Sequence, residues 1–526
     1  MKGVFLVNTK IRNSLFFTIC FSIIFSNIPG GIQLNFIGGS IGNQLVLYPL
    51  LVGLIYTLYC KKKYKNIFIK KKEFVLFSFI YIITGLISIG LGLLLYPFYD
   101  EILNGPLTQI PKIPMMISFF SYLQIDFDRN NLILGWMFTR VIKGMLLSYL
   151  WTFCMGYIIF CWYKNTGEES FKILTRATLC GVCVILLYSV IELFYLGHVS
   201  AAGDILKIVN PYIHSIENDG TWWPPLLWGG QLRSVFAEPS YFGIYAAFAM
   251  PLLWYKLIET HMSLWKFFWG GILTAFTFCL FLTKARTAVA LFGGEVCLLF
   301  LALIYFRNKV FLKKFIIIIA CSLIAFVFAN LFITNIMALK TESVSRATLD
   351  KVVEMYISDN LKSIGGKDNR SNRSRYSIME ADLRVGLEHP LLGVGTGLRD
   401  AYVGEKLAAM DNKSDEMKRW IRAQKERGVM RAGIPVLGEY TSKFAETGMA
   451  GSLIHLFPAG YLIFLILKRI RKTNDIKIKE QAMFLLFSFL GTMAAGIGDN
   501  INITYCYWVL LGVGYAIYWP ARVENE

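Results

Sequence analysis

Five cationic side chains are candidates for a phosphate-binding site, the first three beside the ends of long apolar runs and the last two in a predicted helix of a long polar segment. They are Arg233, Lys284, Arg286, Arg375 and Arg384. The short sequence Lys-Ala-Arg joins two apolar runs, so Lys284 and Arg286 are expected at one membrane boundary. A guanidinium stays charged and can pair with two phosphate oxygens at once, and these residues therefore predict diphosphate binding. The alternative is that each interfacial side chain reaches toward a phospholipid headgroup.

Three carboxylates near the same boundaries are candidates for a general base. They are Glu238, Glu439 and Glu446. In that role, a carboxylate would take the proton of an acceptor hydroxyl while the hydroxyl oxygen forms a new bond. Each residue also has a plainer interpretation. Glu238 can pair with Arg233. Glu439 can be a solvated loop residue, and Glu446 can pair with Lys443 at the start of a helix.

The composition places these residues in a membrane protein. Of the 526 residues 55% are hydrophobic and 17% are charged, against about 25% charged in ordinary soluble domains. Apolar runs of roughly 20 residues, long enough to cross a bilayer core, lie near 13–30, 40–60, 74–97, 133–162, 171–197, 237–257, 265–283, 287–306, 315–337, 444–467, 480–498 and 502–519. A lipid-exposed backbone must satisfy its own hydrogen bonds, so the runs predict helices. The fold class is an all-α polytopic membrane protein with about twelve transmembrane helices.

The net charge of +18, from 53 Lys and Arg against 35 Asp and Glu, is concentrated in short connections. Counted between the predicted spans, the basic clusters all fall on one side, which predicts cytoplasmic N- and C-termini. This surplus is a topological signal, and no nucleic-acid partner is predicted. The predicted organisation is a first bundle part at 1–337, with about nine spans, a large outer loop at 338–443, and a second bundle part at 444–526, with about three spans.

The loop at 338–443 is predicted to hold two or three short helices over the bundle. One covers Ser371 to Glu388, which His389-Pro390 ends, and another covers roughly Asp411 to Arg427. Between them lies the glycine-rich turn 391–397, which is not a P-loop because no Gly-Lys-Ser/Thr follows it.

Aromatic residues mark the same outer side. Trp222, Trp223 and Trp228 precede Arg233, and they can anchor to headgroups or stack on sugar rings. The segment 98–132 is expected to lie at the interface as an amphipathic element that guides lipid.

An enzyme that works outside the inner membrane has no ATP, so its substrate must arrive activated. A lipid-linked sugar diphosphate meets this condition, since its anomeric carbon already carries a good leaving group. Cations would hold the diphosphate and a base would activate the acceptor. No carboxylate or histidine cluster with metal-ligand spacing occurs in the outer segments, so neither a metal nor another cofactor is predicted.

Four motifs in order carry a resemblance to a known family. They are Arg233-x-x-x-x-Glu-Pro-Ser-x-Phe-Gly, Lys284-Ala-Arg-Thr-Ala, Ser374-Arg-Tyr followed by His389-Pro-Leu-Leu-Gly-Val-Gly-Thr-Gly, and Phe444-Ala-Glu-Thr-Gly-Met-Ala-Gly. With their placement relative to the spans, over residues 225–455, the chain resembles the bacterial O-antigen polymerase/O-antigen ligase superfamily.

The resemblance implies a GT-C-like glycosyltransferase of the bacterial inner membrane, with a large helical periplasmic loop and a periplasmic active site. It implies that Arg233, Arg286 and Arg375 engage undecaprenyl diphosphate. The implied partners are an undecaprenyl-diphosphate-linked glycan donor, a lipid-linked acceptor and membrane lipid, with a chain-length regulator as a further candidate.

Ligases of this superfamily usually carry a His-Asn pair shortly before the glycine of a Glu-x-Gly motif. Counting back from Gly448, the corresponding positions are Leu437-Gly438. The missing histidine favours an O-antigen polymerase, with Glu439 the nearest candidate base. A ligase that transfers glycan to lipid A core stays open as the alternative. A flippase for lipid-linked oligosaccharide is less favoured, because it needs no large outer domain and its charges should lie deep in several helices.

Overall fold

The computed structural model describes residues 8–30, 32–33, 44–63, 72–125, 128–215, 225–306, 309–336 and 370–519. Within these residues the chain forms α-helices and two short 3-10 turns, and its β-structure is limited to one isolated bridge between Ser26 and Gln44. The predicted all-α class is confirmed. Residues 337–369, which include the first part of the predicted outer loop, lie outside the described residues, as do Trp222 and Trp223.

The helices of the first half are α1 Thr9–Ser22, α2 Leu47–Lys63, α3 Lys72–Leu94, α4 Tyr99–Leu103, α5 Lys112–Tyr122, α6 Arg129–Trp151, α7 Phe153–Tyr163, α8 Gly167–Leu196 and α9 Ser200–Ile213. Those of the second half are α10 Pro239–Glu259, α11 Ser263–Leu282, α12 Arg286–Phe306, α13 Lys309–Asn335, α14 Arg370–Glu388, α15 Arg399–Ala409, α16 Asp415–Arg427, α17 Glu439–Lys472, α18 Ile476–Ala495 and α19 Cys506–Tyr518.

Every predicted apolar run overlaps a helix, but fewer of the runs qualify as spans than the sequence predicts. Eight helical stretches in the described residues are long and apolar enough to cross a membrane, with α6 and α7 counted as one stretch. The runs near 13–30, 40–60, 480–498 and 502–519 do not meet that standard. Two of them form helices of only 14 and 13 residues, α1 and α19, shorter than the roughly 20 residues of a straight crossing.

The bundle is organised around α10, which is the most deeply buried of the eight spans. Trp254 of α10 and Trp508 of α19 are both fully buried in the large bundle core. Close helix contact depends on small residues, as expected where helices pack within a membrane. At Gly243 of α10, an added Cβ would lie 2.5 Å from the Cβ of Ala288 in α12. This crossing brings the N-terminal ends of α10 and α12 together.

The helices α14, α15 and α16, here called the cap, pack over one end of the bundle. Their fully buried side chains include Ile378, Val385 and Met417, and they share a second hydrophobic core with Ile133 and Met137 of α6. Two cap helices follow the predicted positions, and α15 is the third. The cap is therefore attached to the bundle by an apolar core of its own.

Helix α17 reverses direction at Gly448, whose φ of 62° and ψ of −165° are not helical. Glu439 Oε1 and His455 Nε2 lie 3.6 Å apart, although sixteen residues of straight helix would separate them by about 24 Å. The first limb, residues 439–447, is thus folded back toward the second limb, residues 449–472. The position requires glycine, because an added Cβ would lie 2.4 Å from the carbonyl carbon of Leu391.

Candidate functional site

A cavity of about 1190 Å³ lies between the cap and the bundle. One side, the bundle wall, is formed by the start of α10, the α11–α12 connection and residues that follow α18; its members are Glu238, Pro239, Ser240, Tyr241, Lys284, Ala285, Arg286, Thr287, Asp499, Asn500 and Ile503. The other side, the cap wall, consists of Arg375, Glu416, Arg419, Trp420, Pro435, Val436 and Leu437. Trp228 and Gln231 complete the lining. The cavity brings together predicted site residues from three separate parts of the sequence: Glu238, the pair Lys284 and Arg286, and Arg375.

The α11–α12 connection places two cations in the bundle wall. The Thr283 hydroxyl donates to the carbonyl of Leu280 at 2.7 Å and accepts from the backbone N–H of Ala285 at 3.1 Å. Lys284 has a positive φ of 49°, a left-handed conformation that a non-glycine residue adopts only when its surroundings hold it there. Helix α12 begins directly at Arg286. The chain therefore reverses within three residues, as the sequence predicts.

Arg286 has an unused hydrogen-bond donor. Its Nη1 is buried and has no hydrogen-bond partner among the described residues, while the side chain lines the cavity. A buried donor without a partner costs free energy unless a ligand or water satisfies it. Arg286 also stands at the N-terminus of α12, where exposed backbone N–H groups and the helix dipole favour an anion.

The N-terminus of α10 lines the same cavity. Glu238 is the N-cap residue and Pro239 occupies the first turn, where its missing N–H costs no helical hydrogen bond. The backbone N–H of Leu232 donates to the carbonyl of Leu282 at 3.0 Å and ties the segment before α10 to the end of α11. Two helix N-termini and two cations thus form one wall, an arrangement suited to an anionic group of diphosphate size.

Arg375 links the cap to the bundle at the edge of the cavity. Its Nη1 donates to the carbonyl of Gly498 and lies 3.5 Å from Asp499 Oδ2. Burial raises the pKa of the Asp499 carboxyl, and the positive charge of Arg375 opposes this shift. The guanidinium of Arg375 is therefore partly occupied by protein groups, unlike that of Arg286.

Two of the cations predicted to bind diphosphate do not line the cavity. Arg233 is fully buried, and its backbone N–H donates to Glu192 Oε2 at 3.0 Å while its Nη1 donates to the carbonyl of Ala237 at 3.4 Å. Arg384 lies on the exposed side of α14 and pairs with Glu380 at 2.6 Å. Arg233 turns inward onto α8, and Arg384 lies on the solvent-facing surface of its helix.

Among the three candidate bases, Glu238 lines the cavity and the other two do not. Glu439 is 1% exposed, and its Oε1 lies 3.6 Å from Nε2 of His455. Glu446 pairs with Lys443 at 3.0 Å, as the plainer interpretation expects, and its Oε1 accepts from the backbone N–H of Gly397 at 3.2 Å. The fold-back of α17 thus turns both carboxylates toward other protein groups.

The glycine-rich turn 391–397 packs on α17 through its backbone. The N–H groups of Val394 and Gly395 donate to the carbonyls of Ala445 and Glu446 at 3.0 and 2.8 Å. At Gly393, with φ of 66°, an added Cβ would lie 2.4 Å from the carbonyl carbon of Glu446. Two of the sequence motifs are therefore one packed unit, and their glycines allow close backbone contact.

The sequence interpretation missed several polar or aromatic residues of the lining, among them Glu416, Arg419, Trp420 and Asp499. On α16, Arg419 and Trp420 follow Glu416 by three and four residues, a spacing that puts all three on one helix face. Buried Met417 on the same helix was the available signal, since an apolar anchor in a charge-rich helix indicates which face is free. Asp499 could be noticed only as an acidic residue between two apolar helices.

The part of the chain that the structure describes contains no group of three or more His, Cys, Asp or Glu residues arranged to hold a metal ion. The lining residues of the cavity fit an anionic ligand through cations and backbone N–H groups instead.

A family model described as O-antigen ligase matches residues 270–424. The matched region runs from α11 to α16 and includes Arg286, Arg375 and the α16 residues of the cap wall. The match supports the O-antigen polymerase/O-antigen ligase superfamily, so the predicted resemblance is confirmed. The superfamily handles polysaccharide at a membrane in the manner of a glycosyltransferase. No curated protein matches the chain.

Proposed function

We propose that this protein is a polysaccharide polymerase that transfers a growing glycan from undecaprenyl diphosphate to the non-reducing end of a lipid-linked repeat unit. The observation that carries the proposal is Arg286, which lines the cavity with a buried donor that no described residue satisfies. A diphosphate oxygen is a suitable acceptor for that donor, because the fork of a guanidinium matches phosphate geometry.

In the proposed reaction the bundle wall holds the leaving group. Lys284 and Arg286, with the N-termini of α10 and α12, bind the diphosphate and stabilise the negative charge that it gains. The acceptor hydroxyl oxygen forms a bond to the anomeric carbon as the bond from that carbon to the diphosphate oxygen breaks. Glu238 accepts the hydroxyl proton, and undecaprenyl diphosphate leaves. Of the three candidate bases, Glu238 is favoured because it lines the same cavity.

Two observations favour a polymerase over the alternatives. The residues described as lining the cavity include no histidine, which agrees with the absence of a ligase-type histidine at Leu437-Gly438. For a flippase, the mid-run cation Arg140 would belong to a transport path, yet its Nη1 donates to the carbonyl of Met430 in the segment after the cap. Arg140 therefore supports the attachment of the cap region.

The proposed orientation puts the cavity at the periplasmic face of a bacterial inner membrane, with both termini cytoplasmic. It rests on the basic connections in the sequence. With the substrate tail in the bilayer, the diphosphate would meet the helix N-termini of the bundle wall.

The test is a reaction of the purified protein in detergent with lipid-linked repeat units from cells that carry its gene. A ladder of lengthening glycans is expected, and Glu238→Gln should abolish it. The matched control is Glu380→Gln, since Glu380 is an exposed carboxylate outside the cavity. Transfer to lipid A core without a ladder would establish the ligase instead, and full activity of Glu238→Gln would remove Glu238 as the base.

A further inference from the structure

Helix α16 is held firmly in the cap by one of its faces. Met417 is fully buried, and Gln424 Nε2 donates to the carbonyl of Asp400 at 3.0 Å. Ser414 is the N-cap of α16, and its hydroxyl accepts from the backbone N–H of Met417 at 3.3 Å. The same hydroxyl lies 2.7 Å from the hydroxyl of Ser374 on α14. These contacts fix how the helix is rotated about its axis, and therefore fix which residues face the cavity.

The cavity-facing residues of α16 combine one aromatic ring with both signs of charge. Glu416, Arg419 and Trp420 line the cavity together with Trp228, whose side chain is 57% exposed. Arg419 has no ion-pair partner among the described residues. Indole rings beside a few polar groups form the kind of lining that holds a ring-shaped polar ligand.

The two walls of the cavity differ in the part of a lipid-linked substrate that each can meet. The bundle wall belongs to the N-terminal ends of the membrane spans α10 and α12. An isoprenoid tail must stay in the hydrocarbon region, so its diphosphate lies at those helix ends and its sugars extend toward the cap. The cap wall is therefore the side that sugars reach.

The two substrates of a polymerase also differ in how they can be held. The donor is anchored by its diphosphate through charge pairing with the bundle wall. The acceptor presents a terminal sugar that has neither a phosphate nor a tail at the reacting end. That sugar needs contacts of its own, and stacking on indole with hydrogen bonds to ionised side chains supplies them.

We infer that Glu416, Arg419 and Trp420, with Trp228, form the subsite for the acceptor sugar. The inference rests on the proposed function, since it assumes that two glycans meet in this cavity. Trp420 and Trp228 contact the sugar ring, while Glu416 accepts and Arg419 donates hydrogen bonds to its hydroxyls. These residues bind and orient the acceptor, whereas the diphosphate is held elsewhere by Lys284 and Arg286.

The experiment separates acceptor binding from donor binding. Lipid-linked repeat unit at a fixed concentration is the donor, and the free oligosaccharide released from the lipid by mild acid is the varied acceptor. Trp420→Ala, Arg419→Gln and Glu416→Gln should each raise the acceptor KM about tenfold with little change in kcat. Binding of undecaprenyl diphosphate alone, measured by calorimetry, should stay unchanged.

Two matched variants guard against loss of folding. Lys418→Gln changes an exposed cation of the same helix that does not line the cavity, and it should leave the acceptor KM unchanged. Trp420→Phe keeps an aromatic ring against the cap core and should recover most of the loss in Trp420→Ala. An unchanged acceptor KM in all three α16 variants would overturn the inference. So would an equal loss of undecaprenyl diphosphate binding.

Direct binding distinguishes this inference from the proposed function. Saturation transfer from the detergent-solubilised protein to the free oligosaccharide reads the subsite without any reaction. If the protein forms no ladder but the oligosaccharide binds in an α16-dependent manner, the polymerase proposal fails and the sugar subsite stands. If a ladder forms and saturation transfer is the same in the wild type and the α16 variants, the subsite fails and the polymerase stands.

Discussion

Two arginines, Arg399 in the cap and Arg286 in the bundle wall, represent opposite uses of the same side chain. Arg399 is 2% exposed, and its Nε and Nη2 bind the two carboxylate oxygens of Asp382 at 2.5 and 3.0 Å. Its Nη1 donates to Asp400 and to the carbonyl of Ile434, each at 3.2 Å. Arg286 instead has a buried Nη1 that no described residue satisfies. Arg399 is satisfied within the protein, and Arg286 is open to a ligand.

The electrostatics follow the same division. Burial by itself disfavours the charged guanidinium of Arg399, but the carboxylates of Asp382 and Asp400 raise its pKa above the ordinary value. The Arg399 network also holds Ile434 and Pro435, and Pro435 belongs to the cap wall. Buried Arg399 thus supports the cavity wall without lining it, while half-buried Arg286 lines the cavity directly.

The largest effect is expected from Arg399→Ala, which tests the structural member of the pair. Leaving Asp382 buried without its partner should destabilise the protein by about 3–5 kcal/mol. Thermal unfolding in detergent measures this change. Simultaneous replacement of Asp382 by Asn should recover part of the loss, because it removes the unpaired charge. A melting temperature equal to that of the wild type would contradict the structural role of Arg399.

Arg286→Ala tests the ligand-facing member. Loss of a donor that acts on a developing negative charge should lower kcat/KM about a hundredfold, without a large change in melting temperature. Arg286→Lys keeps the charge but loses the planar fork, so its activity should fall between that of the wild type and that of Arg286→Ala. The measurement is the rate of ladder formation. Full activity of Arg286→Lys would argue against bidentate phosphate binding.

A smaller effect is expected at Asp499, a bundle-wall residue that pairs with Arg375 of the cap. Burial raises its folded-state pKa, so between its ordinary and raised values the folded protein binds more protons than the unfolded chain. The stabilisation from proton binding at Asp499 is fully present below the ordinary aspartate pKa. It is lost as the pH rises through the raised pKa of the folded protein. Melting temperatures measured across that pH range should fall less steeply in Asp499→Asn than in the wild type. Parallel profiles would exclude the shift.

The smallest effect is expected from Arg384→Ala, the exposed counterpart of both arginines. Its pair with Glu380 lies on the surface of α14, where both side chains are more than half exposed. Such a pair contributes less than about 1 kcal/mol. Both the melting temperature and the rate of ladder formation should stay near wild type, and a large loss of activity would return Arg384 to the list of diphosphate ligands.

The apolar runs and the hairpin around Lys284 were predictable because their causes are local. A run of apolar residues in a membrane must be helical, and three residues between two such helices leave little freedom. The predicted break after Glu388 and the helix near Asp411 to Arg427 agree with α14 and α16 for the same reason. Helix number was less predictable, since α1 and α19 are apolar but too short to be counted as spans.

The allocation of charged residues to the cavity was not predictable from local sequence. Arg233 and Arg286 both precede apolar runs, yet the segment at 232–236 turns inward onto Glu192, while Arg286 opens a helix at the cavity. Glu439 and Glu446 lie outside the cavity because α17 reverses direction at Gly448. Contacts between distant residues decide such directions, and no local pattern encodes them.

The sequence by itself determined a helical membrane protein, the superfamily resemblance and the set of residue types able to bind a diphosphate. These follow from hydropathy, helix-ending residues and motif order, which are properties of neighbouring positions. Only the tertiary structure decided which of those residues share a cavity. That choice depends on the packing of the cap on α3 and α6 and on the meeting of the α10 and α12 N-termini, which join parts of the chain that lie far apart in sequence.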